Sequence, residues 1–139
     1  MLDRFATPLL RTPLQAMARL LVRAGVGANA VTLAGFGVGL VAAILIANGA
    51  YAAGAIALLT SRLLDGLDGA VARETQPTDA GGFLDISLDF LFYASIPLAF
   101  AVAEPTTNAL PAAALLAAFI GTGSSFLAFA TLAAKRGMD

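Results

Sequence analysis

Four long apolar stretches constrain the fold of this chain more than any other feature. They run from about Ala30 to Ala47, Ala52 to Arg73, Gly81 to Ala103 and Leu110 to Ala134. A helix that crosses the hydrocarbon core of a bilayer needs about 20 mostly apolar residues, so each stretch reads as a transmembrane helix. The breaks between them carry turn chemistry: Asn48-Gly49, Glu74 to Ala80 with Pro77, and Glu104 to Asn108 with Pro105. The predicted fold class is therefore all-α, a polytopic membrane helix bundle with four spans. Composition agrees. Charged residues make up 12% of the chain and the mean hydropathy is +0.86, whereas soluble domains carry about 25% charged residues. The 139 residues leave room for one domain.

The N-terminal segment, residues 1–26, has a different pattern. Leu2, Phe5, Leu9, Leu10, Leu14, Met17, Leu20 and Leu21 recur at helical spacing, accompanied by Arg4, Arg11, Arg19 and Arg23. This predicts an amphipathic juxtamembrane segment on the membrane surface, with arginines toward the headgroups. Pro8 and Pro13 are expected to interrupt it as one continuous helix. A signal peptide fits poorly, because no uninterrupted apolar run or small-residue cleavage site precedes the first span. Residues 27–139 are then the transmembrane, catalytic part. Lys and Arg set the orientation. They fall in the N-terminal segment, at Arg73 where the middle loop begins, and at Lys135 and Arg136. The expected arrangement is an integral protein of the inner or plasma membrane, with the N-terminus, middle loop and C-terminus cytoplasmic. On the first span, Gly35 and Gly39 form a small-xxx-small pair, read as tight helix packing in preference to a dimer motif.

What the chain lacks narrows its chemistry. It has no Cys and no His, which excludes thiol catalysis, Ser-His triads and His-ligated metals. A net charge of −1 excludes the basic patch of a nucleic-acid binder, so no nucleic-acid partner is expected. Carboxylates, Arg, hydroxyls and backbone remain.

Carboxylates appear where a membrane helix should not have them. Arg62, Asp65, Asp68 and Arg73 lie on the second span, Asp85 and Asp89 on the third. An intramembrane Asp costs about 2.5–3.5 kcal/mol on insertion scales and is functional by default. Asp65 and Asp68 are i, i+3; Asp85 and Asp89 are i, i+4. Each pair shares a helix face. At about 1.5 Å per residue, Asp68 and Asp85 lie roughly 6–7 Å inside the facing ends of two antiparallel helices, and Asp65 and Asp89 roughly 12 Å inside. The depths match, Asp68 with Asp85 and Asp65 with Asp89, across a seven-residue loop from Glu74 to Ala80. Facing each other, they would form a four-carboxylate cluster. Such a cluster must take protons or bind cations. Without His or Cys the donors are hard oxygens, suited to Mg²⁺, Mn²⁺ or Ca²⁺, and two divalent ions would neutralise four carboxylates. Gly66, Gly69 and Ala72 leave little side chain between the acids, which suits a bulky ligand or close helix packing. Arg73 can reach a phosphate or anchor the helix end. Arg62 can pair with Asp65 or with phosphates.

Asp65-Gly-Leu-Asp68-Gly69-Ala-Val-Ala72-Arg73 followed by Gly81-Gly-Phe-Leu-Asp85-Ile-Ser-Leu-Asp89 resembles the signature of the CDP-alcohol phosphotransferase (phosphatidyltransferase) family. That signature is D-x-x-D-G-x-x-A-R, a spacer, then G-x-x-x-D-x-x-x-D. Every signature position is filled, and the spacer is one residue shorter than is usual in the family. The resemblance implies transfer of a phosphatidyl or other substituted phosphoryl group from a CDP-linked donor, such as CDP-diacylglycerol, to a small alcohol acceptor, with release of CMP. It implies two divalent cations, Mg²⁺ or Mn²⁺, on Asp65, Asp68, Asp85 and Asp89, with Asp89 also the base toward the alcohol. Gly69, Ala72, Arg73 and Gly81 would lie against the nucleotide. Membrane lipids and a second copy of the chain, as a homodimer, are the implied partners. The family fold has six spans against the four read here, so either the chain is incomplete at its C-terminus or the last two helices are absent from this protein.

Weaker candidates remain. Asn29-Ala-Val-Thr32 resembles the family's entry segment, although Asn29 is first read as a helix cap. Lys135 and Arg136 can bind an acceptor phosphate but are first read as anchors. Ser124 and Ser125 are expected to bond back within the fourth span. A rival function is a cation or proton transporter subunit built on the carboxylate cluster. Almost no polar residue lies in the outer halves of the spans to continue such a path. A third possibility is an inactive family member, which predicts a broken signature.

Overall fold

The computed structural model describes residues 3–137, with side chains from residue 13 onward. Five helices, and no strand, are present among the described residues: α1 (Asp3–Arg23), α2 (Ala28–Ala47), α3 (Tyr51–Glu74), α4 (Asp79–Ala103) and α5 (Pro105–Lys135). The all-α expectation holds. The four apolar stretches correspond to α2 to α5.

The helix ends follow from local chemistry. Gly25, at φ 77°, turns the chain after α1 in a left-handed conformation that glycine adopts without strain. Extended Gly27 is the N-cap of α2 and gives no side-chain cap. Asn29 is therefore not the cap; it is already the second residue of the helix. At the far end the Asn48 side chain donates to the Ile44 carbonyl at 2.7 Å, and Gly49, at φ 78°, reverses the chain. The α3–α4 connection is shorter than expected. The helices run on through Glu74 and begin again at Asp79, which leaves only residues 75–78. Thr78 makes this possible: its hydroxyl accepts from the Gly81 N–H at 3.0 Å and caps α4. The expected break from Glu104 to Asn108 shrinks to Glu104 alone, because Pro105 occupies the first turn of α5, where its missing N–H costs nothing. Asn108 Nδ2 then reaches back to the Phe100 carbonyl at 3.0 Å.

In α1 the structure overturns the expected interruption: one helix runs through Pro8 and Pro13. Each proline removes one hydrogen bond, which bends a helix without having to end it. On a helix packed along one side only, the carbonyl left over can be hydrated. The side chains of Leu2, Arg4, Phe5, Pro8, Leu9, Leu10 and Arg11 lie outside the described residues. In the remainder, Ala18 is fully buried with Val31, Leu67, Ala70 and Val71, while Leu14, Leu21 and Val22 pack around them. Arg19 and Arg23 are exposed. This half of α1 is thus amphipathic and lies against α3.

By length and composition α2, α4 and α5 can each cross a membrane. At 24 residues, α3 is also long enough, but Arg62, Asp65, Asp68, Arg73 and Glu74 take it below that standard. It lies antiparallel on α2. Gly54 of α3 faces Ile46, and Gly35 of α2 faces Leu64 and Ser61. α3 therefore runs back alongside α2. Glycines create this close approach. A Cβ on Gly39 would stand 2.6 Å from the Phe92 ring of α4, and one on Gly54 2.6 Å from Ile46. The Gly35–Gly39 pair thus packs within the chain, as expected. On the other side, α5 meets only α4, with Gly123 beneath the Phe90 ring. Most of its surface is exposed and apolar, including Leu110, Ile120, Phe126 and Phe129.

Candidate functional site

The halves of α3 and α4 that adjoin their connection carry the acids. Because the connection is short and both helices are regular, the i, i+3 pair of α3 comes to face the i, i+4 pair of α4. Asp65, Asp68 and Asp85 each offer one carboxylate oxygen, and these oxygens all lie within 4.8 Å of one another. Asp68 is 5% exposed, and its Oδ2 is buried with no hydrogen-bond partner. A buried carboxylate oxygen left unpaired is costly. It is the mark expected of a site whose remaining partner is a cation.

Asp89 lies beside Asp65 but is not one of the three convergent carboxylates. Its Oδ1 accepts from Arg62 Nη1 at 3.0 Å, and the same nitrogen lies 3.4 Å from Asp65 Oδ1. The expected cluster of four is thus three convergent carboxylates and a fourth joined through an arginine. The depth pairing survives in this form: Asp68 meets Asp85, and Asp89 meets Asp65 through Arg62. The i, i+3 pair of Arg62 and Asp65 was legible in the sequence; the bond to Asp89, 27 residues away, was not.

A cleft of about 360 Å³ opens beside the trio. Asp68 and Asp85 lie in its wall, with Gly69, Ala72, Gly81 and the residue 75–78 turn. Gly81 has a steric reason to be glycine, since a Cβ there would stand 3.0 Å from Asn29 Oδ1 and 3.1 Å from Thr78 Oγ1. The side chain of Arg73 is exposed and lies over Gly69, with Nη1 3.4 Å from where a Cβ on Gly69 would be. Gly66 is not part of this wall; it faces Leu14 of α1. Asn29 and Thr32, on successive turns of α2, also line the cleft, so Asn29 serves the cleft and not the helix end. Their i, i+3 spacing was the available signal. Lys135 and Arg136 are exposed at the end of α5. Ser125 bonds back to the Thr122 carbonyl as expected.

The donor set fits a hard divalent cation. Three carboxylates converge, one buried oxygen lacks a partner, and no nitrogen or sulfur ligand is at hand. Among the described residues, four carboxylates with Arg62 leave three formal negative charges without an ion-pair partner. The cleft beside them is large enough for a small ligand.

The described family model for CDP-alcohol phosphatidyltransferase matches residues 26–138. Inner membrane protein YnjF of Escherichia coli K12 is 54% identical over 139 residues, spanning all of this chain and 68% of the relative. Archaetidylinositol phosphate synthase of Methanothermobacter thermautotrophicus is 46% identical over 70 residues, spanning 50% of this chain and 36% of the relative. No solved structure matches the chain.

Proposed function

Because this chain belongs to the CDP-alcohol phosphatidyltransferase family, a class of membrane transferases in phospholipid synthesis, we propose that it transfers a phosphatidyl or other substituted phosphoryl group from a CDP-linked donor to an alcohol. CDP-diacylglycerol is the proposed donor and CMP the leaving group. The observation that carries this reading is the convergence of Asp65, Asp68 and Asp85 beside the cleft, with Asp68 Oδ2 buried and unpaired.

In the proposed mechanism Asp65, Asp68 and Asp85 hold two divalent cations, Mg²⁺ or Mn²⁺, and Asp89 completes the set. Bound there, such cations supply Lewis-acid polarisation of the diphosphate and neutralise charge on the leaving group. Gly69, Ala72 and Gly81 present a wall without bulky side chains to cytidine and diphosphate. Arg73, exposed near the helix end, supplies positive charge to a phosphate. Asp89 accepts the alcohol proton as the new P–O bond forms and the bond to CMP breaks. The shallow placement of the acids suits a reaction between a lipid in the leaflet and an alcohol from the water. The charge pattern supports a site on the cytoplasmic side.

The test is CMP release by the purified protein, given CDP-diacylglycerol, Mg²⁺ or Mn²⁺, and a panel of alcohols: glycerol 3-phosphate, inositol, inositol phosphate and serine. The name of the archaeal relative puts inositol phosphate first. Acceptor-dependent release that stops with EDTA and returns with Mn²⁺ supports the reading. Release that survives chelation overturns the mechanism.

A further inference from the structure

The role of Arg62 is not explained by neutralisation alone. Its Nη1 is shared between Asp89 Oδ1 at 3.0 Å and Asp65 Oδ1 at 3.4 Å. It is held there from behind. The guanidinium carbon lies 3.8 Å from the centre of the Phe92 ring, within cation–π range. Phe92 is itself buried and seated against Gly39, where no side chain would fit. Nη2 approaches Ser61 Oγ at 3.4 Å, and buried Ser61 is fixed by its 2.8 Å bond to the Gly35 carbonyl. The Nε of Arg62 is buried and unpaired, so packing and stacking fix the side chain more than a full set of hydrogen bonds does.

The two sides of the carboxylate cluster differ in space. Asp68 and Asp85 face the open cleft of about 360 Å³. The side bounded by Arg62, Asp65, Asp85 and Asp89 encloses only about 10 Å³. That is at the lower limit for a single water molecule and too little for a hydrated divalent ion. One guanidinium nitrogen already lies against both Asp65 and Asp89 on this side of the cluster.

We propose that Arg62 is a resident cation of the cluster. It positions Asp89 and makes the two cation positions unequal: a first ion would load from the cleft onto Asp65, Asp68 and Asp85, and a second would bind only as the guanidinium gives way at Asp65 and Asp89. The inference rests on the metal-binding part of the proposed function. It adds a positioning role for a residue outside the signature.

Mn²⁺ titration of the full-length protein in nanodiscs, followed by the electron paramagnetic resonance signal of free Mn²⁺, tests it without requiring turnover. The wild type should bind one ion tightly and a second more weakly. Arg62→Ala, which removes both the charge and the obstruction, should tighten the second ion by about tenfold, since a unit charge only a few ångströms away acts strongly at a partly buried site. Arg62→Lys, which keeps the charge, should tighten it much less. Phe92→Leu, which leaves the charge but removes the ring, should fall between Arg62→Ala and the wild type. A merely structural Arg62 predicts the opposite sign, because a loosened fold binds ions less well. Equal or weaker second-ion binding in Arg62→Ala, with wild-type binding intact, overturns the role of Arg62 alone. Failure of the wild type to bind any Mn²⁺ overturns the metal reading, and this inference with it.

Discussion

Asp68 is the residue on which the metal reading turns. A carboxylate 5% exposed, with one oxygen unpaired, is costly in a membrane helix unless it takes a proton or meets a positive charge. Asp68→Asn keeps the shape and removes the charge. It should lower Mn²⁺ affinity by about tenfold or more with helix content unchanged, read by metal titration beside circular dichroism. Unchanged affinity would remove Asp68 from the ligand set. Asp89 is a different case, because its first partner is Arg62. Asp89→Asn should cut CMP release by about 100-fold or more while the first Mn²⁺ still binds. Loss of that ion would show that Asp89 is chiefly a ligand. At this scale the sequence carried much of the site. Helix rise and i, i+3 or i, i+4 spacing put Asp68 opposite Asp85 without any coordinates. What the sequence could not carry was contact across distant segments. Arg62 meets Asp89, and Asn29 meets Gly81, only because three helices pack together.

Helices in this molecule approach closely where glycine removes the obstacle, and the glycines are not equivalent. Gly39 has the Phe92 ring 2.6 Å from any added Cβ, whereas Gly37, two residues earlier, has nothing within 4 Å. Gly39→Val should therefore destabilise the fold by about 1–3 kcal/mol through overpacking. It should also weaken catalysis, since it pushes Phe92 against Arg62. Gly37→Val should change neither beyond about 0.5 kcal/mol, as at other open positions. Thermal unfolding in detergent and CMP release, measured on both variants, make the comparison. Equal melting temperatures would show that the α2–α4 contact is looser than the structure has it. The elements themselves were largely legible. Apolar runs placed α2 to α5, and Asn48-Gly49 marked a true turn. Errors arose where a local signal was read too strongly. One helix runs through Pro8 and Pro13, which were expected to break it. Thr78 starts α4 earlier than the run of turn residues suggested.

Across the whole molecule the open question is how α3 lies, since it carries the site yet is too charged to pass as a span on composition. Two facts tie it to the membrane. It packs antiparallel on α2, which is apolar enough to cross, and its first half, from Tyr51 to Leu59, carries no charge. If α2 crosses, α3 must return. The turn at residues 48–50 and the turn at 75–78 then face opposite sides. The α4–α5 junction at Glu104 faces the same side as Asn48. Arginines and lysines predict the direction: the turn that follows Arg73 should be the cytoplasmic one. The chain has no cysteine, so single-cysteine labelling needs no background substitutions. In right-side-out vesicles a membrane-impermeant maleimide should label Asn48→Cys and Thr106→Cys, and should label Gln76→Cys only after the membrane is opened. In inside-out vesicles the pattern should reverse. Labelling of Asn48→Cys and Gln76→Cys from the same side would mean that α3 does not cross. The carboxylates would then sit at the membrane surface, and the reason for expecting a costly, and therefore functional, intramembrane charge would be lost.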